Sequence, residues 1–399
     1  MPIVKIPISS LQPGMYVVDA GIPWTQAPLL YAEAGYIASH EDVQRIARQG
    51  FTEVYHDTER YRPLGLPITE GLTVPDIAWG RRVPLEQELA RAREVYTASI
   101  EHVKNFMHST PSTPVNMEAA RPLVESILTS LDRNLDALIF LAKLRHSDAY
   151  TFRHCVNVSI FSVAYARFRG LDREHLYSVG LAGLFHDYGK ALVPSHILNA
   201  PRPLKPWETE IMHSHVLRGY EKLKTDKAIA PEILLGVLQH HEKFNGTGYP
   251  YGLAGDAISL YGRILSLSDV YDALTSWRVY KQPLAPHKVL GIMYQMRGQA
   301  WTPTDVDLFV KFMGVYPVGS PVELSNGLRG VVCRSNQRAP AKPWVKLALD
   351  KTGRPLHPTE VVDLTHADGL EIARPLSSQE SASLDVPGLL GLPQRCGNA

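Results

Sequence analysis

From Thr151 to Met313 the chain offers one helical pattern after another and no convincing strand. Val156–Phe168, Arg173–His186, Pro206–Lys224, Pro231–Phe244, Leu260–Ser276, Pro286–Met296 and Pro303–Phe312 each set apolar residues three and four apart among helix formers. Segments of this kind bury their apolar stripes only against one another, so an all-α domain is predicted. Two longer amphipathic stretches precede it, Pro84–His108 and Asn116–Arg145, the second carried by Leu123, Ile127, Leu131, Leu135 and Leu138.

The flanks read differently. Residues 1–58 mix short β-like runs (Ile3–Ile6, Met15–Val18, Glu53–Tyr55) with a helical Glu41–Gln49, as a small α+β domain would. Residues 59–83, with Pro63, Pro67 and Pro75, read as a linker, and 84–145 as connecting amphipathic helices. The helical domain takes 146–313. Residues 314–376 change to short β-branched runs between turns such as Asn326-Gly327, a β-rich C-terminal module, and 377–399 read as a disordered tail. A chain of 399 residues has room for two or three domains at ~150 residues each.

Charge and cysteine content narrow the function. Forty-one Lys plus Arg against forty Asp plus Glu leave a net charge of +1, so no global field draws the chain to DNA or to an anionic membrane. Cys155, Cys333 and Cys396 lie too far apart in sequence for a disulfide framework or a cysteine zinc site. With no signal pattern in MPIVKIPISS and no apolar stretch longer than that around Ala137–Leu144, a cytoplasmic protein is expected.

Sixteen histidines are the compositional oddity, and several gather between His146 and His241. His154, the pair His186-Asp187, His215, the pair His240-His241 and Asp269 fall on successive predicted helices. That inventory suits two first-row metals, since imidazole favours Fe, Mn or Zn and a carboxylate such as Asp187 can bridge ions ~3.5–4 Å apart. Phosphate-ester hydrolysis is the natural chemistry of such a pair. Taken singly, a histidine at a helix end is more often a cap or a satisfied core polar group. Asp272 shares a helical face with Asp269 and is placed to orient a ligand imidazole, and Glu242 either does likewise or is solvated. His146 and His213 fall outside the pattern as surface residues.

The joint pattern is more specific. His154-x-x-Asn157, Leu184-Phe185-His186-Asp187-Tyr188-Gly189-Lys190, Met212-His213-Ser214-His215, the block His240-His241-Glu242 through Gly246-Thr247-Gly248-Tyr249-Pro250, Asp269-Val270-Tyr271-Asp272 and Arg278-Val279-Tyr280-Lys281 occur in order. Residues 146 to about 300 thereby resemble the HD-GYP domain, a bacterial subfamily of the HD phosphohydrolases. The resemblance implies a multidomain protein with an all-α HD-type core, a di- or tri-metal centre of Fe(II) or Mn(II), and hydrolysis of cyclic di-GMP to pGpG or GMP. It implies metal ligation by His154, His186, Asp187, His215, His240, His241 and Asp269, and catalytic roles for Asp187 and for Lys190 at the scissile phosphate. Tyr249, Arg278 and Lys281 match positions that hold nucleotide; Arg278 suits a phosphate or guanine edge, Lys281 serves as a point charge, and Tyr249 stacks on a base, bonds a phosphate or is simply buried. Gly246, Gly248, Tyr249 and Pro250 form a loop that lets backbone approach a phosphate or a protein partner.

Two departures matter. Tyr150 stands where three-metal members carry a glutamate, so two metals are expected and His154 is the least secure ligand. Asn245 replaces the commoner aspartate and spares the ligands. Leu11-Gln12-Pro13-Gly14-Met15-Tyr16-Val17 and Trp24 resemble an N-terminal domain of unknown function found ahead of HD-GYP, a sensory, regulatory or oligomerisation module. Gly314–Ser320 onward resembles the C-terminal extension of such proteins. A homodimer and protein partners docking on the loop or the N-terminal domain fit this reading. Two rivals remain open at the level of sequence: a cyclic di-GMP receptor or scaffold with weak catalysis, and a hydrolase of another cyclic dinucleotide.

Overall fold

The computed structural model describes residues 3–11, 15–18, 30–31, 35–37, 40–48, 51–61, 82–107, 117–144, 150–276, 283–367, 369–377 and 379–392. It divides into two compact units, Met1–Thr73 and Val74–Ala399.

In the first unit, β1 (Ile3–Pro7), β2 (Met15–Val18), β3 (Leu30–Tyr31), β4 (Gly35–Tyr36), α1 (His40–Arg48) and β5 (Glu53–Tyr61) follow one another. The long β5 is the central strand: β1 runs antiparallel to it with Ile3 opposite Asp57, and β2 with Val17 opposite His56. The short β3 adds in parallel and β4 pairs with β2. Ile8, Leu11, Val17, Ile37, Ile46 and Val54 close a small core. This is the α+β domain the sequence predicts. β5 carries three residues beyond the expected limit at Thr58, and most of the linker, like Trp24, lies outside the described residues.

The second unit is helical: α2 (Leu85–Met107), α3 (Arg121–Arg133), α4 (Leu135–Lys143), α5 (Tyr150–Phe168), α6 (Arg173–Phe185), α7 (Ser195–Leu198), α8 (Pro206–His213), α9 (His215–Leu223), α10 (Pro231–Gln239), α11 (Leu260–Thr275), α12 (Pro286–Gln295) and α13 (Pro303–Met313). Asn134 breaks the single pattern over Asn116–Arg145 into α3 and α4, because its extended backbone ends one helix while its side chain caps the next by accepting from the Asp136 N–H. Asp172, Ser259 and Thr302 cap α6, α11 and α13 the same way. Helices α5, α6, α10 and α11 form the centre, where Phe161 meets Tyr271 edge-on with ring centroids 5.3 Å apart.

Five antiparallel strands follow, β6 (Pro321–Leu324), β7 (Arg329–Arg334), β8 (Trp344–Leu349), β9 (Val361–Asp363) and β10 (Ile372–Pro375), in the order β10-β6-β7-β8-β9. The sheet shares the helical core and is tied to α4: Ser335 Oγ donates to Asp136 Oδ1 at 2.7 Å and Lys143 Nζ to the Val318 carbonyl at 2.8 Å. The tail expected from Ser377 differs. Its serines and glycines are interrupted by leucines, and Leu384, Leu390 and Leu392 are buried around the turn α14 (Val386–Leu389). Among the described residues no helix is long and apolar enough to cross a membrane.

Lys143 gives a pH-dependent prediction. Burial drives its ammonium down to about 7, against the pull of Asp136. Between that value and the ordinary lysine range the unfolded chain binds a proton that the folded chain lacks, so this residue makes stability rise with pH across the window. The urea-derived stability of wild type relative to Lys143→Met should rise by on the order of 3 kcal/mol from pH 7 to pH 10. A constant difference would remove Lys143 as the cause.

Candidate metal centre

The expected ligand residues converge from five elements. His154 lies one turn inside α5. α6 ends at Phe185, so His186 caps it and Asp187 begins the short 3-10 turn Tyr188–Leu192. His215 opens α9, His240 and His241 follow the end of α10, and Asp269 sits within α11. All are buried except His241, whose side chain is 24% exposed.

The way the histidines are tethered sets their chemistry. Nδ1 of His186, His215 and His240 lies 2.8, 2.7 and 2.7 Å from the carbonyl oxygens of Gly183, Met212 and Val237, each three residues back. A carbonyl only accepts, so each Nδ1 carries the proton and each Nε2 is left with a lone pair. Those three Nε2 atoms and Asp187 Oδ1 are buried without a hydrogen-bond partner. Orphaned acceptors of this kind cost about 1–3 kcal/mol each, and a cation satisfies them together. The donor set and the orphaned atoms fit a metal centre.

Asp187 stands between two groups. Its Oδ1 is 3.3 Å from His215 Nε2 and 4.0 Å from His240 Nε2; its Oδ2 is 3.3 Å from His186 Nε2 and 3.4 Å from His154 Nε2. One group is Asp187, His215, His240 and His241, the other His154, His186 and Asp269, and within each the ligand atoms lie within 4.8 Å of one another. Burial alone would raise the Asp187 carboxyl, but His186 and Lys190 outweigh it and hold it well below the usual carboxylate range. Burial, reinforced by His241 and His186, pushes His240 far below the usual imidazole value, and burial takes His241 down to about 3. His154 differs. Although burial opposes its charge, Asp269 and Asp272 raise it to about 9. Lys190 Nζ donates to Asp187 Oδ2 at 2.6 Å, so the carboxylate positions the lysine ammonium.

Behind the ligands runs a buried hydrogen-bond chain. Asp272 Oδ2 pairs with His154 Nδ1 at 2.7 Å, while its Oδ1 accepts from Asn157 Nδ2 at 2.8 Å and Ser276 Oγ at 2.9 Å. Asn157 Oδ1 in turn accepts from Tyr96 OH at 2.8 Å. Tyr96, on α2, was not legible as a site residue; it sits 61 positions from its partner and reads as one more core residue of an amphipathic helix.

Two sequence expectations change. Glu242 neither faces solvent nor orients an imidazole: it is buried, and its carboxylate accepts from the backbone N–H groups of Tyr251 at 2.8 Å and Leu253 at 2.9 Å, pinning the glycine-rich loop. Glu242→Gln keeps one acceptor and turns an amide NH2 toward the other N–H. That should cost about 1–3 kcal/mol and speed hydrogen exchange at one of those two amides; unchanged exchange at both would contradict the pinning. Tyr249 offers no free face to a base, because His213 covers one side with centroids 3.8 Å apart and His241 the other at 4.7 Å. His213, exposed as expected, is therefore part of this cluster. Gly246 takes φ +77°, and a Cβ on Gly248 would meet the Lys243 nitrogen at 2.4 Å, so the loop needs its glycines. The Tyr249-Pro250 bond is cis. Arg278, Lys281, His146 and the Tyr150 side chain lie outside the described residues.

Residues 139–305 match the HD domain model, 3–120 a domain of unknown function (DUF3391), and 321–384 a KOW domain associated with HD domain. Over 374 residues, 91% of this chain and 89% of the relative, the sequence is 33% identical to the cyclic di-GMP phosphodiesterase PA4108 of Pseudomonas aeruginosa. The chain belongs to the HD-GYP family. It is a metal-dependent HD phosphodiesterase. Another relative, the 3'3'-cGAMP-specific phosphodiesterase 2 of Vibrio cholerae, is 34% identical over 165 residues, 40% of this chain and 31% of that one. Among solved structures, the HDG"Y"P protein Bd1817 of Bdellovibrio bacteriovorus covers 77% of this chain and 98% of its own, with TM-score 0.46 and 16% identity. The N-terminal match runs on through α2, the helix that carries Tyr96.

Proposed function

We propose that this HD-GYP protein hydrolyses cyclic di-GMP to pGpG or GMP with two divalent cations, Fe(II) or Mn(II). The observation that carries the reading is the division of seven ligand residues into two groups on the two oxygens of Asp187. Asp187, His215, His240 and His241 would hold one ion, His154, His186 and Asp269 the other, with Asp187 shared. When bound, such a pair supplies a hydroxide near neutral pH and Lewis-acid stabilisation of the phosphoryl oxygens.

The chain's own residues do the rest. The carbonyls of Gly183, Met212 and Val237 keep the proton on Nδ1 of their histidines, so Nε2 stays a donor to cations. Asp272 holds the His154 ring, and Asn157 and Tyr96 hold Asp272. Lys190, fixed on Asp187 and partly exposed, contributes positive charge where equatorial phosphoryl charge develops. Arg278 and Lys281 remain the proposed nucleotide contacts. The other cyclic dinucleotides form the second reading, favoured by the 3'3'-cGAMP-specific relative.

The test uses anaerobically purified chain loaded with Fe(II) or Mn(II), with metal counted and pGpG and GMP followed. Metal-dependent turnover with about two ions per chain is expected. A higher kcat/KM for 3'3'-cGAMP would transfer the assignment to that substrate, and binding of cyclic di-GMP without turnover by a fully loaded sample would make the protein a receptor.

A further inference from the structure

His186, His215 and His240 are each fixed by a hydrogen bond behind the ring; His241 is not. Its Nδ1 stands 3.7 Å from Asp269 Oδ2, beyond hydrogen-bonding distance. Ring faces hold it instead. Tyr249 lies over His241 with centroids 4.7 Å apart and planes inclined by 29°, and His213 lies on the far side of Tyr249 at 3.8 Å and 9°. The backbone closes the same unit, since Tyr249 N–H donates to the His241 carbonyl at 3.2 Å and Glu242 anchors the loop two and four residues on.

We propose that Tyr249, backed by His213, is a positioning residue whose stack sets the plane of the His241 ring and so the metal affinity of the group it forms with Asp187, His215 and His240. The inference rests on the metal-centre reading above and is independent of which nucleotide is hydrolysed. It assigns the tyrosine of the glycine-rich loop a task directed inward, toward a ligand, and gives the exposed His213 a reason to be aromatic. Loss of a group that orients a ligand imidazole typically weakens metal binding 10–100-fold, and a stacked ring replaces the missing tether here.

The test is titration of the metal-free full chain with Co(II), followed by its visible absorption, and with Mn(II) by equilibrium dialysis. Tyr249→Phe and His213→Phe keep the stack and should titrate as wild type. Tyr249→Leu should lose about 10–100-fold in affinity at one of two sites with an altered Co(II) spectrum. His213→Ala, at an exposed position that leaves the core intact, should shift in the same direction. Wild-type affinity and spectrum in both Tyr249→Leu and His213→Ala would overturn the proposal. A loss in Tyr249→Phe equal to that in Tyr249→Leu would overturn it too, by assigning the effect to the hydroxyl. Wild-type chain that takes up no metal would instead remove the centre itself.

Discussion

Asp187→Ala should fold, retain less than one divalent ion per chain in place of two, and lose more than about 10³-fold in kcat/KM for phosphodiester hydrolysis. The expectation follows from where its two oxygens lie. Oδ1 faces His215 and His240, Oδ2 faces His186 and His154, so one truncation removes a ligand from both groups at once. Asp269 also approaches both groups, with Oδ1 3.0 Å from His154 Nε2 and Oδ2 3.7 Å from His241 Nδ1, but each of its oxygens faces one histidine where each Asp187 oxygen faces two. Folding survives because the charges that lose this partner have another: Lys190, whose side chain is 24% exposed, turns to water, and His154 keeps Asp269 and Asp272. The imidazoles keep their backbone tethers, which do not involve Asp187. Metal content by elemental analysis, thermal melting and single-turnover kinetics separate the three claims. Two ions retained per chain in the variant would show that Asp187 is not shared between them.

How much of this was legible in the sequence depends on the range of the interaction. The helices were legible because periodicity is local, and the residues that converge at the candidate centre were legible because the motifs carrying the family resemblance lie in short blocks with fixed neighbours. His186 and Asp187 must sit at a helix end for the imidazole to reach back to Gly183, and that register is written in seven consecutive residues. The break at Asn134 was not, since Leu123 through Leu138 keep helical spacing across it and only the capping bond to Asp136 ends the run. Glu242 was misread, and the stacking of Tyr249 missed, for a different reason. Their partners are backbone amides nine and eleven residues away in an irregular loop, and a histidine, His213, on another element. Composition carries no record of such contacts. Tyr96 is the extreme case, joined to the centre through Asn157 and Asp272 from a helix whose pattern shows only packing.

Gly189→Ala should cost more than about 3 kcal/mol, lower Tm by at least about 6 °C, and release metal from the group containing His215. Gly189 lies in the 3-10 turn after Asp187, against the first turn of α9. A Cβ there would stand 1.8 Å from the His215 carbonyl oxygen and 2.7 Å from the Gly219 nitrogen. These are backbone atoms, so no rotamer change relieves the overlap and α9 itself must retreat. His215 opens that helix, and its Nδ1 tether to Met212 turns with it, so the retreat swings Nε2 away from Asp187. A stability loss and a ligand loss are thus one displacement. Gly291→Ala is the matched control: it lies in α12 with nothing within 4 Å of the added methyl, where alanine is favoured over glycine by roughly 0.5–1 kcal/mol. Melting of the two variants in the presence and absence of Mn(II) gives the comparison. The close approach of the turn to α9 predicts that Gly189→Ala is destabilised in both conditions and gains little from metal. If it melted with the Gly291→Ala control and gained the same stability from Mn(II), the turn and α9 would not be in contact and the placement of His215 would need another cause.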